Sequence, residues 1–158
     1  MKVVVNTTPI ISLAAINHLP ILEKLFGKII IAEAVYQEIK AKQSHAYHEI
    51  DSPFIEVQKI EGYLYKELLL NQLDSGEAET IILAKEIEAD FVIIDENLGY
   101  KFANNAGLKT IRTLSILLKA KEKNIISEIK PLLDEMIIKG RWYSTNVYEA
   151  FLERAGEL

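Results

Sequence analysis

Apolar residues fall in short continuous runs separated by longer stretches of helical period. The runs are Val3–Val5, Ile29–Ile31, Phe54–Val57, Phe91–Ile94 and a shorter one near Thr110 and Ile111. Continuous apolar strands alternating with helices predict a parallel sheet covered on both faces. Between the first two runs, Ile10, Leu13, Ala14 and Ile16 recur at helical spacing, with Thr8 as the expected cap and Pro9 at the first helical position. A second short helix follows Pro20 and closes at Gly27. Further helices are predicted after Ile31, over about 63–73, 75–88, 97–106, 114–123, 128–139 and 145–155. No repeat, low-complexity tract or linker interrupts the pattern. One α/β domain over 1–158, a three-layer sandwich of about five strands, is the expected architecture.

The chain of 158 residues contains no cysteine, which excludes disulfides, thiolate zinc sites and thiol nucleophiles. No segment offers the roughly 18 apolar residues of a membrane span, and Asn6-Thr7-Thr8-Pro9 interrupts the apolar N-terminus. A cytoplasmic protein is expected. The formal charge of −5 is unevenly distributed. Residues 46–100 carry thirteen acids against three lysines, and residues 101–145 nine lysines or arginines against four acids. That contrast suits a cation site beside a surface for an anionic polymer, and equally suits solvated helix faces of uneven sign.

Glycine-rich nucleotide loops and a GxSxG elbow are missing. His45 and His48, three apart in a polar stretch, read as surface residues, and His18 as a histidine at a helix C-terminus. The remaining chemistry is acidic and amide groups at strand ends, where open α/β sheets place their ligands. Asn6 follows the first strand and Asp95 the fourth. Each has a simpler role as well, Asn6 in a turn and Asp95 as a helix cap. Glu77 fits a capping box with Asp74 and lies on the stripe of Ile81 and Ala84; Glu38 borders the stripe of Val35 and Ile39, and also suits an exposed pair with Lys42. Glu79, Glu86 and Glu88 read as ordinary surface acids. Converging carboxylates about 5 Å apart repel by roughly 3 kcal/mol at an effective dielectric near 20. A cluster of that kind calls for a cation, and all-oxygen ligands select Mg²⁺ or Mn²⁺.

Four segments taken in order resemble the PIN-domain family, in particular its toxin-like, VapC-related branch. They are Asn6-Thr7-Thr8-Pro9-Ile10-Ile11, Val35-Tyr36-Gln37-Glu38-Ile39, Leu73-Asp74-Ser75-Gly76-Glu77-Ala78-Glu79 and Val92-Ile93-Ile94-Asp95-Glu96-Asn97-Leu98. The resemblance runs from residue 1 to about 120, and Gly140 to Glu157 also looks like that branch. It implies a parallel sheet of order 3-2-1-4-5 and metal-dependent endonucleolytic cleavage of RNA. By position it makes Glu38, Glu77 and Asp95 the catalytic acids and, with Asn6, the metal ligands. Thr8 and Glu96 would support them. It further implies a cognate antitoxin and a homodimer.

Asn6 departs from the family, which carries Asp there. The loss of one charge relieves repulsion but weakens attraction for a cation, so a catalytically weak RNA- or protein-binding module is the alternative expectation. Lys101, Lys109, Arg112, Lys119, Lys121 and Lys123 are the basic residues placed to meet RNA phosphates. Ile116, Leu117, Ile125, Ile126, Leu132, Leu133, Ile137 and Ile138 are expected in the core or at an interface.

Overall fold

The structure is a computed structural model describing residues 1–158. Five strands form one sheet in the order β3-β2-β1-β4-β5: β1 (Val3–Val5), β2 (Ile29–Ala32), β3 (Ile55–Gln58), β4 (Phe91–Ile93) and β5 (Thr110–Ile111). Every pairing is parallel, with Val4 opposite Ile30 on one side and Val92 on the other. The central strands are buried on both faces, which is why Val3–Val5 and Ile29–Ile31 are β-branched without a polar alternate. This is the predicted order, and each strand lies within a residue of its expected place.

Nine α-helices complete the layers: α1 (Thr7–Ala15), α2 (Ile21–Phe26), α3 (Glu33–Lys40), α4 (Tyr63–Leu69), α5 (Ser75–Glu86), α6 (Asn97–Asn105), α7 (Thr113–Glu122), α8 (Lys130–Ile138) and α9 (Thr145–Arg154). The chain steps outward from β1 to β2 and β3, then crosses back to β4 and β5 on the far side of β1. Right-handed crossovers in opposite directions place helices on both faces of the sheet. The helix α5 packs along β1, β2 and β4, while α2 packs on β2 beside α7. Reversal of direction between β1 and β4 opens a crevice at their carboxyl ends.

The core takes in most of the apolar residues of the C-terminal helices. Ile116, Leu117 and Leu133 are buried, and Ile125, Ile126 and Leu132 pack against them. Ile138, 81% exposed, does not join the core, and Ile137 is also exposed. No helix is long and apolar enough to cross a membrane.

Two local expectations change. The first helix begins at Thr7 with Asn6 as its cap residue, so Thr8 and Pro9 lie inside the first turn. Proline is still tolerated there because the first four amides of a helix have no partner within it. Glu79 and Glu86 are not idle surface acids. Buried Glu79 accepts from the Ala34 amide at the start of α3 and pairs with Lys66 at 2.5 Å. Glu86 accepts from the amides of Glu61 and Gly62, fixing the approach to α4.

Candidate active site

β1 delivers Asn6 into the crevice, and its amide N–H prolongs the ladder by donating to Ile93 O at 2.9 Å. The Asn6 side chain does not cap α1. Its Nδ2 donates to Glu96 Oε2 at 3.2 Å, and its Oδ1 accepts from the Thr80 hydroxyl at 3.2 Å. Thr8 Oγ1 donates to the other oxygen of Glu96. Glu96 is thus held from both sides by the segment following β1, and sits as the N-cap residue of α6.

Glu77 enters from α5. The capping box is formed as its sequence indicates: Asp74 Oδ1 accepts from the Glu77 amide at 2.8 Å and Glu77 Oε1 accepts from the Asp74 amide at 3.2 Å. Gly99 makes room for Glu77. A Cβ on Gly99 would stand 2.7 Å from Glu77 Oε2 and 2.7 Å from Ile94 Cδ1, closer than real side chains come. Burial pushes the Glu77 carboxyl up to about 7, with the charges of Asp74 and Glu96 adding to it against the lowering hydrogen bond from the Asp74 amide. No lysine or arginine forms an ion pair with Glu77 or Glu96.

Asp95 turns away from this group. Its Oδ1 accepts from the Thr113 amide at 2.8 Å and its Oδ2 from the Thr113 hydroxyl at 2.7 Å, with Arg141 Nη2 3.3 Å from Oδ2. Arg112 Nη1 donates to the Asp95 carbonyl at 2.5 Å. Asp95 therefore caps α7 from across the sheet, which the cap residue Arg112 itself does not do. Glu38 is exposed and makes no ion pair, including the one anticipated with Lys42.

The expected quartet of Asn6, Glu38, Glu77 and Asp95 is consequently not assembled. No three histidine, aspartate or glutamate side chains gather into a group able to hold a metal ion. The smaller set of Glu77 and Glu96 beside Asn6 does fit a hard divalent cation by its chemistry: oxygen donors carrying negative charge that no basic side chain balances.

Beside this crevice lies a cavity of about 480 Å³, whose wall includes Thr8, Asp95, Glu96, Arg112, Arg141, Trp142 and Tyr143. Arg141–Ser144, from the tail that also resembles the toxin-like branch, contributes four residues to it, none of them among the expected site residues. Its signal was the interleaving of arginine with two aromatics directly after a glycine. Of the basic residues expected to meet RNA, Arg112 reaches this cavity. Lys121 is engaged elsewhere, with Glu157 at 2.8 Å and Ala155 O at 2.7 Å.

The family model described as a PIN domain (DUF3368) matches residues 2–157. The chain belongs to the PIN-domain family. Its fold is also similar to a solved structure, a PilT N-terminus domain protein, SSO1118, from the hyperthermophilic archaeon Sulfolobus solfataricus P2. The two share 20% identity with a TM-score of 0.58, over 76% of this chain and 93% of that one. No curated protein matches the sequence. PIN domains are generally nucleases and generally use divalent metal ions.

Proposed function

We propose that this PIN domain is an endoribonuclease hydrolysing RNA phosphodiesters in the crevice between β1 and β4, with Glu77 and Glu96 as its acids. The observation that carries the proposal is two carboxylates, from α5 and the start of α6, near enough for the charge of Glu96 to raise the pKa of Glu77, with Glu96 bonded to Asn6 and no lysine or arginine ion-paired with either. Mg²⁺ or Mn²⁺ bound there would supply positive charge to the phosphate and lower the pKa of a bound water. Glu96, fixed by Thr8 and Asn6, presents an oriented carboxylate. Glu77, with its carboxyl raised to about 7, can take or give a proton at neutral pH. Asp95 acts by holding α7 and the Gly140–Ser144 segment in place, and Glu38 has no part in this constellation.

Purified protein should cleave RNA in the presence of Mg²⁺ or Mn²⁺, lose cleavage in EDTA, and lose it in a doubly substituted Glu77→Gln, Glu96→Gln variant. Cleavage that survives in the double variant would overturn the assignment. A second reading, a binding module of weak activity, is favoured by the Asn6 amide: its hydrogen bond joins β1 to Glu96 where two carboxylates would need a cation between them. Metal-independent RNA binding with no cleavage would select that reading.

The toxin role belongs to the same proposal, with a cognate antitoxin and a homodimer as the expected protein partners. Tyr63, Leu64, Tyr65, Leu68 and Leu70, all exposed on or beside α4, support a protein contact on that side. Light scattering of the purified chain, alone and co-expressed with the product of a neighbouring small reading frame, tests both.

A further inference from the structure

We propose that the cavity between α7 and the Gly140–Ser144 segment is a nucleotide subsite, in which Arg112 takes an RNA phosphate and Trp142 stacks on the adjoining base. The inference rests on the reading of the neighbouring crevice as a site of phosphodiester cleavage, and it names the residues that hold the strand there.

Charge separates the two arginines of the cavity. Arg141 is spent on Asp95, which lies 3.3 Å away and is 5% exposed. Arg112 has no carboxylate partner. It donates to the Asp95 carbonyl, and its guanidinium lies 4.1 Å from the centre of the Tyr100 ring. Stacking on an aromatic face fixes the fork while leaving its remaining donors for an acceptor in the cavity. A phosphate oxygen is the acceptor that matches such a fork in charge and geometry.

The tail segment supplies the second element. Trp142 is 77% exposed at the rim, between Arg141 and Tyr143, which both face inward enough to be half-buried. A large apolar ring held in water offers a stacking platform for a base without regard to its identity. Arg141 lies 4.9 Å from the centre of the Tyr143 ring, so these two side chains brace the wall from which Trp142 projects. Thr8 and Glu96 line both this cavity and the acidic crevice, so a strand seated here runs beside Glu96 at the edge of that crevice.

Trp142 is the one tryptophan of the chain, and its emission reports on the subsite alone. The full-length protein, in EDTA to prevent cleavage, is titrated with a short fluorescein-labelled single-stranded oligouridylate and with an abasic oligomer of the same backbone. The expected result is saturable binding of both, with Trp142 quenched only by the oligouridylate. Arg112→Gln should weaken binding about tenfold and make its salt dependence shallower by about one phosphate contact. Arg112→Lys should retain that salt dependence, and Lys24→Gln, which removes an exposed charge on α2 outside the cavity, should retain the affinity. Absence of saturable binding, binding that leaves Trp142 emission unchanged, or equal affinity in Arg112→Gln would each overturn the subsite. If binding behaves as expected and the protein cleaves no RNA with Mg²⁺ or Mn²⁺, the subsite stands and the nuclease reading falls. Cleavage without these binding effects gives the reverse.

Discussion

At position 6 the difference between an amide and a carboxylate decides how the crevice is held together. The Asn6 amide donates to Glu96. An aspartate would set two carboxylates against each other at about the same separation, a repulsion of roughly 5 kcal/mol at an effective dielectric near 20 before any relaxation. Asn6→Asp should therefore lower stability in EDTA by about 1–3 kcal/mol, and Mn²⁺ should restore more stability to the variant than to the wild type. Thermal melts of both proteins with and without the ion check this; equal responses would contradict it. Glu77 gives a pH signature of definite sign. Its carboxyl is raised when folded, so the folded state binds the proton more tightly, and stability from this group declines as pH rises from the ordinary carboxylate range to about 7. Glu77→Gln should flatten that decline, leaving the variant relatively more stable at pH 8 than at pH 5 in urea titrations. Asn6 and Glu77 drew attention in the sequence because a strand end and a capping box mark them, whereas Thr8 and Glu96 entered as supporting residues through the family resemblance alone. That the Asp95 carboxylate is taken up by α7 was not legible, because its partners Thr113 and Arg141 lie 18 and 46 positions downstream.

Helix starts are where the elements are tied to one another. Glu79 of α5 accepts from the Ala34 amide in the first turn of α3 and also pairs with Lys66 of α4, so one carboxylate joins three helices. Removing it leaves a half-buried ammonium and an unsatisfied amide. Glu79→Ala should cost about 2–4 kcal/mol in urea unfolding, well beyond an exposed acid such as Glu88. A cost below about 0.5 kcal/mol would contradict the pairing. Periodicity located α3, α4 and α5 but read Glu79 as a surface residue, because its partners come from other elements. Those contacts belong to packing, which one helix's own pattern does not encode.

At the scale of the molecule, the chain order and the strand order leave one crevice, and the C-terminal segments close around its side. Glu157 secures that closure: it pairs with Lys121 of α7 and accepts from the amides of Ile129 and Lys130 at the start of α8. Burial pushes its carboxyl up, but Lys121 and the two amides outweigh that and hold it below the usual carboxylate range. A lowered pKa contributes stability above the ordinary carboxylate range that is lost as pH falls through the folded value. Glu157→Gln should therefore loosen the C-terminal helices at neutral pH, with faster amide exchange in α8 and α9 and little change in β1 or β4. The sheet order was readable because the apolar runs leave few arrangements; the wall built by Gly140–Ser144 was not, since it depends on how a distant tail folds back.

Glu96 rather than Asp95 as the working acid after β4 is the central claim, and the two can be compared directly. RNA cleavage with Mn²⁺ is measured for Glu96→Gln and Asp95→Asn, each at a temperature well below its own melting point. Glu96→Gln should keep near wild-type stability and lose cleavage. Asp95→Asn should melt lower, through its loosened hold on α7 and Arg141, and still cleave. An inactive Asp95→Asn protein of wild-type stability beside an active Glu96→Gln protein would contradict the account.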